Sequence, residues 1–84
     1  MNEIKITAPN GKFSIITTRD QEARFGDKIN HVSSTSAQPY IAANFDAAGN
    51  CVGGRTMQAS LVEYQVAAAK KAGMIVEGSI GESK

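Results

Sequence analysis

At 84 residues the chain is too short to divide into two independent cores, since a protein of this size hides only about 60% of its unfolded surface on folding. Its 42% hydrophobic and 20% charged residues exclude the disordered class, and nine basic against eight acidic side chains leave no overall field to draw it to nucleic acid or an anionic membrane. The single cysteine, Cys51, excludes an internal disulfide, and no run is apolar for long enough to serve as a signal peptide or membrane span, so a reducing, cytoplasmic setting is expected.

In chain order, Ile4 and Ile6 alternate with polar neighbours, and Phe13, Ile15 and Thr17 alternate with Ser14, Ile16 and Thr18. Between them Ala8-Pro9-Asn10-Gly11 offers Pro, Asn and Gly in the order of a tight turn, so the spacing predicts a β-hairpin. The next stretch, residues 19–38, is the least legible. Asp20 to Ala23 can open a helical turn and Phe25, Ile29 and Val32 recur at i, i+4 and i+7, which predicts a short helix followed by a loop through the polar run 33–36. Tyr40 to Phe45, the turn Asp46-Ala47-Ala48-Gly49 and Asn50 to Val52 form a second hairpin, which Gly53-Gly54 is expected to break, either at a bulge or where the following helix comes close.

Ser60 to Gly73 carries the strongest local signal. Ser60 and Glu63 make a capping box, Lys70 and Lys71 sit where the helix dipole favours cations, and Gly73 can take the left-handed exit; Thr56 is a second candidate cap. Leu61, Val62, Val66, Ala68, Ala69 and Ala72 fall on one arc, the pattern of a helix lying on a sheet. Met74-Ile75-Val76 can return as a fifth strand, and residues 79–84 read as a flexible tail behind a single domain of residues 1–78. The expected architecture is therefore α+β: an antiparallel sheet of four to five strands in ββ-ββ-α-β order, with one main C-terminal helix packed on one face and the opposite face free.

The chemistry-bearing motifs are few. Gly49 to Thr56 has the spacing of a phosphate-binding loop, but Arg55 stands where a lysine is needed and a hairpin chain lacks the buried parallel strand that such a loop follows; weak anion binding beside Arg55 is the residual idea. Cys51 and His31, with Asp27 or Asp46 as orienter, could form a nucleophile and base, although one thiol and one imidazole more simply read as a small buried hydrophobe and a solvated loop residue. Two such ligands do not complete a closed metal site, so no catalytic residue, metal or cofactor is expected.

Val52-Gly53-Gly54-Arg55-Thr56 and the helix ending Ala67-Ala68-Ala69-Lys70-Lys71-Ala72 resemble the last strand and second helix of double-stranded-RNA-binding domains over residues 39–73. The resemblance implies a nucleic-acid-binding module acting through Arg55, Lys70, Lys71 and the segment Arg19 to Lys28. Such domains are expected to place lysines at the start of that helix to meet phosphates, whereas this chain has Met57-Gln58-Ala59-Ser60. The leading expectation is instead a non-enzymatic protein-binding module, a small inhibitor or regulator of a larger assembly such as the anti-defence proteins that phages and mobile elements encode. Its edge strands could pair with a partner or with a second copy as a homodimer, and Arg19, Arg24, Phe25, Tyr40, Arg55 and Tyr64 are its candidate anchors, because aromatic and Arg side chains dominate interface energetics.

Overall fold

The computed structural model of the chain describes residues 3–31 and 38–80. Both hairpins form. Strand β1 (Glu3–Thr7) pairs with β2 (Phe13–Thr18), and β4 (Tyr40–Phe45) pairs with β5 (Cys51–Met57). The two turns close in the same way. Ala8 accepts from the Gly11 amide and donates to the Lys12 carbonyl, as Asp46 accepts from Gly49 and donates to the Asn50 carbonyl, with Gly11 and Gly49 at φ of 90° and 92°. That is a four-residue turn closed by a glycine bulge, a geometry that needs φ > 0 at its last position.

The second turn is also held by a side chain. Asp46 Oδ1 accepts from the amides of Ala48 and Asn50 at 3.0 and 2.9 Å, and these bonds, that from Asn50 foremost, keep its carboxyl below its ordinary value of 3.8. A carboxyl depressed in the folded state adds stability above its unfolded value, and that addition is lost as pH falls through the folded one. The urea midpoint of the chain is therefore expected to exceed that of Asp46→Asn at pH about 6 and to converge on it as pH drops below about 4; an unchanged difference at low pH would remove the carboxylate from the turn.

Between the hairpins the chain makes a 3-10 helix, Arg19–Phe25, and then β3 (Ile29–Asn30), which runs parallel to β5. After β5 comes α1 (Ala59–Lys71) and then β6 (Ile75–Ser79), antiparallel to β1. The result is one mixed six-stranded sheet in the order β3-β5-β4-β2-β1-β6. Each hairpin is thus followed by a crossover that delivers one more strand to an edge. The sheet has one strand more than the four to five expected, and it is not wholly antiparallel, because residues 29–30 join β5 in parallel.

The two crossovers cover opposite faces. On one, Val62 of α1 packs with Ile4, Ile16, Ala42 and Met57; on the other, Phe25 and Ile29 pack with Ile41 and Ala43. Alternation along β4 makes this division: Ala42 points to α1 while Ile41 and Ala43 point away from it. The face expected to be free is therefore covered over β4 and β5. Phe25 and Ile29 do share a core, as their spacing suggested, although the backbone that carries them is a 3-10 helix ending in Gly26 and a short strand rather than one helix. Val32 and the polar run 33–36 lie outside the described residues.

Gly53-Gly54 does not break β5. The ladder continues to the Tyr40–Met57 pair, and Val52 is the extra residue of a bulge, since Asn44 pairs with Gly53 and Phe45 with Cys51. The close approach at Gly54 comes from the other face: a Cβ there would lie 2.7 Å from Ile29 Cδ1 and 2.5 Å from the Ala42 carbonyl oxygen.

Because pairing holds the chain extended to Met57, α1 starts one residue before Ser60, with Gln58 as its cap in extended geometry and without a side-chain cap bond. Ser60 sits in the first turn, and Thr56 is a buried strand residue. The exit is as expected. Gly73, at φ 84°, donates to Lys70 and Met74 donates to Ala69, the paired bonds that end a helix on a left-handed glycine. Strand β6 runs past the expected Val76 to Ser79, and Ile80 packs on the α1-side core; residues 81–84 lie outside the described ones.

Candidate interaction surface

The sheet order sets where surface is left over. Helix α1 starts at the end of β5 and finishes where β6 begins, so it passes over β4, β2 and β1 and leaves part of the sheet's face uncovered beside β1 and β6. That remainder is a groove of about 460 Å³ with an apolar floor and walls from Ile4, Tyr40, Val62, Val66, Val76 and Ile80. Glu63, Ala67 and Lys70, exposed on the flank of α1, line its helical side. The volume is within the range of natural ligand clefts, about 300–1,000 Å³.

The groove runs along a sheet edge. Among the described residues no strand pairs with the outer side of β6, so a row of its backbone polar groups faces outward. Val76 and Gly78 sit in register with Ile6 and Ile4, whose side chains pack on the α1 side. Ile75 and Glu77 therefore belong to the opposite face, where Ile75 is 60% exposed. Lys5 is the cross-strand neighbour of Glu77, yet its Nζ lies 4.5 Å from the centre of the Phe13 ring. Among the described residues no cation is within ion-pair distance of the Glu77 carboxylate.

Of the six anchors expected from sequence, Tyr40 alone lines the groove. Tyr64, 67% exposed, stands elsewhere on α1. Phe25 lies in the core: at 6% exposure its ring packs edge-on against Phe45, with centroids 6.0 Å apart. Arg24 lies over that ring and donates to the Glu3 carboxylate, fastening the 3-10 helix to β1. Arg19 is exposed and reaches the Gln38 carbonyl at 3.4 Å, while its amide donates to Pro39. Arg55 is exposed on β5, opposite Ala42, and its Nε donates to the Thr56 carbonyl. These side chains do not converge. The groove escapes a sequence reading because Ile4, Tyr40 and Val76 become neighbours only through the order β4-β2-β1-β6.

The residues considered for chemistry make separate contacts. His31 Nε2 is paired with Glu22, and Cys51 Sγ is 3.7 Å from the Gly53 carbonyl oxygen. The phosphate-loop spacing from Gly49 to Thr56 is occupied by a hairpin turn and an antiparallel strand, and α1 begins only after it. Among the described residues no group of three His, Cys, Asp or Glu side chains could hold a metal ion, and no helix is long and apolar enough to cross a membrane.

Comparison with protein-family models, with curated proteins and with solved structures finds no match for this chain.

Proposed function

We propose that this protein is a non-enzymatic protein-binding module, a small inhibitor or regulator that acts by occupying a site on a larger assembly, in the manner of the anti-defence proteins of phages and mobile elements. The observation that carries the reading is the coincidence of an apolar groove with an unpaired strand edge, two features that proteins use together to take up another chain. The nucleic-acid alternative draws less from the geometry. The Phe13 ring is stacked on Phe45 at 4.8 Å on one side and met by Lys5 on another, which leaves little of it for a base, and Arg24 is committed to Glu3.

The test is affinity capture from the host cell and from that host's pathogens or prey, with two variants beside the parent chain. Ala67→Arg puts a bulky charge on the groove wall at an exposed helix position; Tyr64→Ala changes α1 away from the groove. A stoichiometric protein partner retained by Tyr64→Ala and weakened at least tenfold by Ala67→Arg is the expected result. Recovery of nucleic acid, with binding that collapses as salt is raised, would replace this reading with the alternative.

A further inference from the structure

We infer that the outer edge of β6 takes an extended segment of a partner protein in which large apolar residues alternate with Lys or Arg. The inference rests on the protein-binding reading and adds the chemistry of the segment. A strand laid along β6 has its side chains sorted by the pleat, every second one toward the α1 side. Those opposite Val76 and Gly78 point at the groove. Gly78 contributes no side chain of its own, and none is tolerated, since a Cβ there would collide with the Glu3 carbonyl oxygen and its φ is +84°. The space over Gly78, between Ile4 and Ile80, is therefore open to a bulky apolar side chain from the incoming strand.

On the opposite face the incoming residues meet Ile75 and Glu77. The Glu77 carboxylate is exposed and, among the described residues, unpaired, and the lysine across from it is turned onto an aromatic ring. A cation on the added strand at that position gains a cross-strand ion pair, whereas a carboxylate there meets like charge. The same argument disfavours a second copy of this chain in the register centred on Glu77, which would set the two Glu77 side chains against each other.

The test uses the whole chain, isotope-labelled, and an eight-residue probe peptide of alternating valine and lysine. The expected result is saturable shifts of the amides of residues 75–79 and of the Val76 and Ile80 methyls. Alternating valine and glutamate should bind at least tenfold more weakly, and N-methylation of the valine–lysine peptide on alternate residues should abolish binding. Glu77→Gln should bring the two peptides to within about threefold of each other.

No binding of the valine–lysine peptide, equal binding of the N-methylated one, or shifts confined to other parts of the chain would overturn the inference. So would outward amides of β6 already protected from exchange in the chain alone: protection that grows with concentration would assign the edge to a second copy, and protection independent of it to the chain's own residues. A captured protein partner together with a failed peptide would leave the module reading in place and remove this one.

Discussion

Gly54→Ala is expected to lose about 2–4 kcal/mol of stability, a large share of the margin of a small domain. The added methyl would sit 2.5 Å from the Ala42 carbonyl oxygen, 2.7 Å from Ile29 Cδ1 and 3.0 Å from the Ala43 Cα, and two of those three neighbours are backbone of the adjacent strand. A flexible side chain could move aside; a ladder carbonyl moves only with its strand, and overpacking of that kind costs more than a rotamer change. The control lies two residues away. Val52→Ala, at an exposed bulge position of the same strand, is expected to stay within about 0.5 kcal/mol of the parent chain. Urea denaturation monitored by circular dichroism separates the two, and a Gly54→Ala chain as stable as Val52→Ala would mean that Ile29 does not lie against β5.

Phe25→Ala tests the same crossover at its 3-10 helix. Truncating a buried phenylalanine costs about 3–5 kcal/mol, because the lost transfer energy is joined by that of the cavity left behind. Here the ring covers Ile41 and Ala43, both fully buried, and meets Phe45 edge-on, so its removal would open one face of the central strand β4 to water. Tyr64→Ala, also an aromatic truncation but at an exposed helix position, should change stability by less than about 0.5 kcal/mol. If both variants were equally mild, the 3-10 helix would be a loose cover rather than a second layer of the core.

What was legible in the sequence was whatever the backbone dictates locally. Pro9-Asn10-Gly11 and Asp46 with Gly49 specify their turns through fixed φ, positive φ and a side-chain acceptor, and the strands beside them follow. Gly73 likewise announces its own helix end. What could not be read depends on partners far along the chain. Glu77-Gly78-Ser79 has no strand-like alternation and is extended because β1 pairs with it. Gly54 resembles a strand breaker until Ile29 is found packed on it. Ser60 has the right spacing for a cap, but the ladder ends at the Tyr40–Met57 pair and the helix begins already at Ala59, with Gln58 as its cap. Residue type, which marks the candidate anchors, does not separate Phe25 in the core from Tyr64 on the surface; strand order does.

The pairing of β1 with β6 joins Glu3 to Ser79, more than seventy positions apart, and so bears on how the protein is made. While the ribosome is still translating the middle of the message, Ile4 and Ile6 have their hairpin partner but neither the strand nor the helix that will shelter them. Each hairpin can zip up as it emerges, yet the nascent polypeptide cannot finish its fold until residue 79 has cleared the exit tunnel. Completion is then a single late event, and a transcript truncated before β6 should yield a product that chaperones and proteases recognise.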